Sequence, residues 1–235
     1  LVVDLNKIPV PDDQLDRLLL EFNFKRYLPY IHGIILDVGC GSGGMTELIY
    51  NHFLFVEGVD GSSERIQEAQ LRLPNLKFHN SYFENFKPKY KFNTCISSSV
   101  LEHLSDKKGG LSPTDLLRLC YKWLYPKGTM IVGVPNLNSL HKHVGRAMGF
   151  NEQLTEKDKS IGHVSVFTLD SLENIMTKAG FNVIKSGGVT IKPLPNDDLR
   201  KLTNWYELMC GYFKISESPI LQPLCSVIYV IGEKD

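Results

Sequence analysis

Residues Asp37-Val-Gly-Cys-Gly-Ser-Gly-Gly44, at the end of the apolar run Gly33-Ile-Ile-Leu-Asp-Val38, decide how this chain reads. A short apolar run closed by a glycine cluster reads as a buried strand, and the stretch 44–52 behind it reads as a helix. Gly39, Gly41 and Gly44 have the spacing of a strand-to-helix turn that brings backbone close to a nucleotide. Asp60, ending a second expected strand over 53–59, stands where a carboxylate bonds ribose hydroxyls. A lone glycine motif says little; a strand before it, a helix after it and an acid about 20 residues on make it specific.

The same alternation runs outward from this turn. Apolar residues at helical intervals predict a helix over 12–30. Ser62 or Ser63 caps a helix ending near Leu73, and Pro74-Asn75 breaks it. Short strands are expected over 76–79, 92–97, 129–134, 181–185 and 226–231, and helices over 113–124, 169–179 and 199–214. Residues 136–163 read as irregular and 187–195 as rich in turns. Strands alternating with helices imply βαβ units and an α/β, doubly wound, mainly parallel sheet. The organisation expected is a single domain over 1–235, with an N-terminal helical cap over about 1–30 and an insertion over about 136–168.

Composition narrows the function classes. Over 235 residues, 26 basic and 26 acidic side chains cancel, which gives no bulk pull toward nucleic acid or an anionic membrane. The longest apolar run near the end, around Val227 to Ile231, falls far short of the roughly 20 residues of a membrane helix. Five scattered cysteines without a CxxC pair fit reduced thiols and a cytoplasmic setting, with no legible leader segment.

Asp37 separates the two nucleotide ligands that fit the loop. A carboxylate at its mouth repels a dinucleotide's pyrophosphate but suits a ligand with positive charge. S-adenosylmethionine carries a sulfonium and an ammonium beside an adenosine and no phosphate. Electrostatics therefore favour it over NAD, with Asp37 toward the ammonium, the glycines against the methionine portion and Asp60 on the ribose diol.

With VDGS at 59–62, SSSVLEHL at 97–104, PKG at 126–128 and AGF at 179–181, DVGCGSG resembles the class I S-adenosylmethionine-dependent methyltransferases, within the small-molecule methyltransferase-domain group that shares the LEH signature. The resemblance spans roughly residues 30–185. It implies a Rossmann-like seven-stranded sheet whose last strand is antiparallel. It also implies S-adenosylmethionine as cofactor and S-adenosylhomocysteine as product. Carried over, Asp37, Gly39 and Gly41 face the methionine part, Asp60 the ribose, and Gly61 and Ser62 the adenosine. Asn80-Ser-Tyr-Phe83, with Tyr82 and Phe83, flanks adenine, although relatives often have an acid there. Ser98 offers a backbone carbonyl to the ammonium. Arg26 and Tyr27 are candidates to close over the cofactor's carboxylate, against the more ordinary reading of a basic residue on an exposed face.

Methyl transfer to a hydroxyl needs a base, whereas a neutral amine needs only to arrive unprotonated. The candidates are His141, His143, His103, after the fourth strand, and His163, at the end of the insertion; each has a structural alternative, and for His163 it is tying the insertion to the sheet. His141 and His143 form a basic cluster with Lys142 and Arg146. They are two apart rather than four, so they do not share a helix face, and no metal site is expected. Tyr82, Phe83, Phe86, Phe167 and Trp205 read as an aromatic pocket or as core. The function expected is transfer of a methyl group to a hydroxyl, or an amine, of a small polar or sugar-like metabolite, without nucleic-acid or membrane partners. The oligomeric state is not legible. An NAD-dependent oxidoreductase and an inactive scaffold subunit are the alternatives.

Overall fold

The computed structural model describes residues 14–105, 110–149, 154, 159–160 and 162–235. The first residues of the expected cap and the expected insertion's residues 150–153, 155–158 and 161 lie outside them. Seven strands, β1 (Ile35–Val38), β2 (Val56–Asp60), β3 (Lys77–Asn80), β4 (Phe92–Ser98), β5 (Leu124–Pro135), β6 (Asn182–Gly188) and β7 (Val227–Glu233), form one sheet in the order β3-β2-β1-β4-β5-β7-β6. β1 to β5 pair in parallel, and β7 runs antiparallel to both β5 and β6. The expected doubly wound seven-stranded sheet, with its antiparallel last strand, is the fold found.

Alternate residues of the central strands serve two cores, which is why these strands read as unbroken apolar runs rather than as half-buried alternations. Leu36, Cys95, Met130 and Val230 face one core with α4 (Pro113–Trp123) and α6 (Leu169–Lys178). Their neighbours Ile35, Ile96, Ile131 and Ile231 face the other, with α1 (Gln14–Tyr27), α2 (Gly44–Tyr50) and α8 (Trp205–Ile215). The caps follow the sequence: Ser62 accepts from Arg65 N ahead of α3 (Ser63–Arg72), and Ser112 accepts from Asp115 N ahead of Pro113.

Several expectations are corrected. Gly187 and Gly188 belong to strand β6, opposite Tyr229 and Ile228, and not to a turn. A Cβ at Gly188 would lie 2.4 Å from the Gln222 carbonyl, so the glycine there admits a close backbone neighbour. The expected helix over 199–214 is two helices, α7 (Asn196–Leu199) and α8, separated where Thr203 and Asn204 are weak helix formers. The expected turn at 125–128 lies within β5, where Lys127 N donates to Lys234 O and Lys234 N to Gly128 O. The stretch 136–163 is not irregular throughout. It contains α5 (Leu140–Ala147), none of whose residues is buried, so it leaves little core-facing periodicity to read.

Candidate active site

The order of strands reverses between β1 and β4, and the carboxyl ends of these strands carry the site, as in other open α/β sheets. Gly39 adopts φ +78, and a Cβ there would lie 2.4 Å from Val100 Cγ2, so no other residue fits between the turns after β1 and β4. Gly41, at φ +52, donates its N–H to Asp60 Oδ2 at 3.0 Å, while Asp60 Oδ1 accepts from Ser62 N at 2.8 Å. Two backbone amides thus fix the carboxylate at the end of β2, and each oxygen keeps acceptor capacity for an outside hydroxyl.

Asp37 is 2% exposed and accepts a 2.6 Å hydrogen bond from Thr46 Oγ1 on α2. Burial pushes its carboxyl up to about 7; the Thr46 hydroxyl opposes that rise, and the nearby Asp60 charge adds to it. A cationic group brought to this end of the sheet would favour the ionised form.

Tyr82 is exposed, with its ring against Gly61, where a Cβ would stand 3.1 Å from Cδ1. Phe83 packs against the core beneath it, and Ser81 N donates to Asp60 O, holding this segment beside the end of β2. Ser98 ends β4 and leads into Ser99, a non-glycine residue at φ +59 whose N–H donates to Gly133 O at 2.9 Å. Arg26 and Tyr27, candidates to close over the cofactor's carboxylate, are both tied into the protein, and Arg26 does not stand on an exposed face either. Arg26 donates to Phe213 O and Val189 O and pairs with Glu217. Tyr27 is fully buried, its hydroxyl seated where a Cβ of Gly133 would be, and burial raises its phenol well above the usual range. Phe86 and Phe167 are core, as their residue types favour, and Trp205 packs at the edge of the second core. Arg146 donates to Leu137 O and its Nη2 lies 3.0 Å from His143 Nδ1, so the basic residues of α5 are partly engaged with one another.

The structure brings His103 and His163 together, with ring centroids 4.9 Å apart and nearly perpendicular planes. His103 Nδ1 is 3.1 Å from Gly162 O. Val164 N and Ser165 N both donate to Glu102 O, and Ser165 Oγ donates to Leu104 O, which ties the far end of the expected insertion to the turn after β4. Main-chain bonds thus hold this segment, and the His163 ring is turned toward Glu102 in the same turn, with Nε2 3.9 Å from Oε1. Glu102 is 2% exposed, and neither carboxylate oxygen has a hydrogen-bond partner. Burial lifts its carboxyl to about 7. Glu102 is a site residue whose role the sequence does not single out. It was visible in Leu101-Glu-His103, but its partner stands 61 positions downstream. On the α1 side of the same edge, a cavity of about 260 Å³ is lined by Asn23, Ser99, Pro135, Thr190 and Lys192.

The model of the methyltransferase-domain family matches residues 10–186, well over half of the chain. The chain belongs to the methyltransferase-domain family. Trans-aconitate 2-methyltransferase of Yersinia pestis (strain Pestoides F) is 31% identical over 104 residues, which are 43% of this chain and 38% of that protein. Ubiquinone biosynthesis O-methyltransferase of Rhodopseudomonas palustris is 29% identical over 108 residues, 44% of this chain and 40% of that one. The match thus spans well under half the length of these curated relatives. Among solved structures, a SAM-dependent methyltransferase from Archaeoglobus fulgidus has a TM-score of 0.62 at 22% identity, covering 93% of this chain and 94% of that one. Magnesium protoporphyrin IX methyltransferase from Synechocystis, solved with bound SAH, has a TM-score of 0.61 at 12% identity, over 94% and 84%. At such identities the likeness is one of fold.

S-adenosylmethionine is the cofactor of this methyltransferase family. The residues of this chain fit it on their own chemistry. The turn after β1 has no side chain at Gly39 or Gly41, a carboxylate stands behind it at Asp37, and a second one is held by amides at Asp60. Among the described residues, no helix is long and apolar enough to cross a membrane.

Proposed function

We propose that this methyltransferase-family chain places a methyl group on a hydroxyl of a small polar acceptor, with an amine as the second acceptor type. The observation that carries the reading is the Glu102–His163 pair beside His103 at the carboxyl end of β4. Bound S-adenosylmethionine supplies a methyl carbon already activated by its sulfonium. The chain's own task is then to hold the acceptor oxygen on axis and to take its proton. His163 is the base in this reading, and the Glu102 carboxylate stabilises the positive charge that the ring gains with the proton. Asp37, Gly39 and Gly41 hold the methionine portion and Asp60 the ribose, with Gly61, Ser62, Tyr82 and Phe83 around the adenosine and Ser98 near the ammonium. Asn23, Thr190 and Lys192 give the adjoining cavity a polar wall suited to a polar acceptor. The O-methyltransferase named among the relatives supports oxygen over nitrogen. In this reading residues 1–235 act as one domain, the insertion over about 136–168 and the residues around 187–214 build the acceptor pocket, and no nucleic acid or membrane takes part. The compartment inferred from the unpaired thiols is the cytoplasm.

The test is transfer of a labelled methyl group to matched pairs of hydroxyl- and amine-bearing small molecules. The reading expects hydroxyl acceptors to be labelled. It also expects His163→Ala to keep cofactor affinity while turnover falls about 100-fold or more. Labelling of the amines alone, or full turnover by His163→Ala, would return His163 to a structural role.

A further inference from the structure

Glu102, His103 and His163 offer one ligand atom each, all within 4.8 Å of one another. We propose that these three side chains form a binding site for a first-row divalent cation, of the zinc or cobalt type, at the acceptor end of the sheet. The inference rests on the methyltransferase reading for the site's purpose, but not for its existence.

Three observations converge on a ligand here. The Glu102 carboxylate is buried, with neither oxygen hydrogen-bonded, and among the described residues the cation-forming group beside it is His163. A buried carboxylate left in that state is costly unless a cation or a proton completes it. His103 has its Nδ1 against the Gly162 carbonyl. That is the outer-shell contact that fixes a ligating histidine's orientation and leaves Nε2 as the lone pair for a metal. His103 is also exposed while Glu102 is buried, so the cluster has one open side where water or an acceptor oxygen can complete the coordination.

Geometry and donor type select the ion. Ligand atoms about 2.1 Å from one ion stand roughly 3–3.5 Å apart. The 3.9 Å between His163 Nε2 and Glu102 Oε1 is close to that spacing. Two imidazoles and one carboxylate suit zinc, cobalt or iron(II), whereas magnesium and calcium prefer a shell of oxygens. A cation with an open position would bind the acceptor's hydroxyl oxygen and lower its pKa, so that the proton leaves to solvent water. The three side chains would then act together as ligands, in place of His163 acting alone.

The experiment uses the full chain, freed of metal by a chelator and dialysed. Cobalt(II) is added while visible absorption is followed, and zinc(II) is titrated calorimetrically. The same protein is titrated with S-adenosylmethionine. The wild type is expected to bind one cation per chain and to develop the absorption of low-coordinate cobalt. Replacing a ligand by His103→Ala or Glu102→Gln is expected to weaken binding beyond the roughly 10–100-fold cost of losing an outer-shell partner. His103 is exposed, so its variant tests the site without disturbing the core. Wild type that binds S-adenosylmethionine but takes up no cation overturns the metal site and leaves the methyltransferase reading standing. Cation binding as tight in His103→Ala as in the wild type overturns it as well. Cation uptake without any S-adenosylmethionine binding supports the site and removes the reading of its purpose.

Discussion

The missing Cβ of Gly39 would lie 2.4 Å from Val100 Cγ2, so the turn after β1 and the turn after β4 meet at a position that admits no side chain. Gly39 also has φ +78, a conformation that L side chains rarely adopt. Gly39→Ala is therefore expected to cost roughly 1–3 kcal/mol from backbone strain, plus the clash. At this length, each kcal/mol lowers the melting temperature by about 2–4 °C. Combining it with Val100→Ala should cost less than the sum of the two single changes, because the clash is shared. Strict additivity in thermal melts would remove the steric account and leave the backbone one.

Asp37 makes stability depend on pH. Its carboxyl is raised from 3.8 to about 7 in the folded chain. The folded state therefore keeps a proton that the unfolded state releases between about pH 4 and pH 7, and stability falls as pH rises through that window. Asp37→Asn is expected to remove this part of the dependence, so its melting temperature should gain on the wild type from pH 5 to pH 8. Wild-type affinity for S-adenosylmethionine should rise over the same range, since the ionised carboxylate suits a cation. Parallel melting profiles for the two proteins would place the titration elsewhere.

Asp60 holds two loop amides in the structure. Asp60→Ala is expected to weaken cofactor binding by roughly 1.5–3 kcal/mol through lost charge-assisted bonds. Calorimetric titration reads this directly, and unchanged affinity would take Asp60 out of the ribose role.

A buried ion network joins three helices. Glu47 Oε2 accepts from Arg17 Nη1 on α1 and from Arg72 Nη2 on α3, both at 2.8 Å, and its side chain is 3% exposed. Glu47→Gln leaves two guanidiniums facing a neutral group. It is expected to destabilise toward the lower end of the roughly 3–5 kcal/mol seen for broken buried pairs, because both arginines reach partial solvent. Denaturant unfolding checks this; a change within about 0.5 kcal/mol, as for an ordinary surface substitution, would show that the network adds little.

What could be read in the sequence follows from the range of the interactions involved. The loop 37–44, the carboxylate at Asp60 and the serine cap at Ser62 are local patterns: glycine spacing, a strand before and a helix after. They stood where they were expected. The strand run Ile35 to Val38 was legible because burial on both faces removes polar positions, Asp37 excepted. Gly187 and Gly188 misled for the opposite reason. A glycine pair reads as a turn, and only the Gln222 carbonyl packed against Gly188 shows why a strand carries it. The pairing of Glu102 with His163 depends on how residues 162–165 return to the turn after β4, through Val164 N and Ser165 N. No periodicity records such a return. Neither reading of Arg26, a basic residue on an exposed face or a ligand contact, anticipates the carbonyls of Val189 and Phe213 that it binds, because they lie more than 160 positions away.

The central claim, that the site takes an adenosyl cofactor through Asp37, the glycine turn and Asp60, is tested most directly by titrating the purified protein calorimetrically with S-adenosylmethionine, S-adenosylhomocysteine and NAD in parallel. The account predicts binding of both adenosyl ligands and none of NAD. Binding of NAD alone would contradict the charge argument on Asp37, and with it the use assigned to this site.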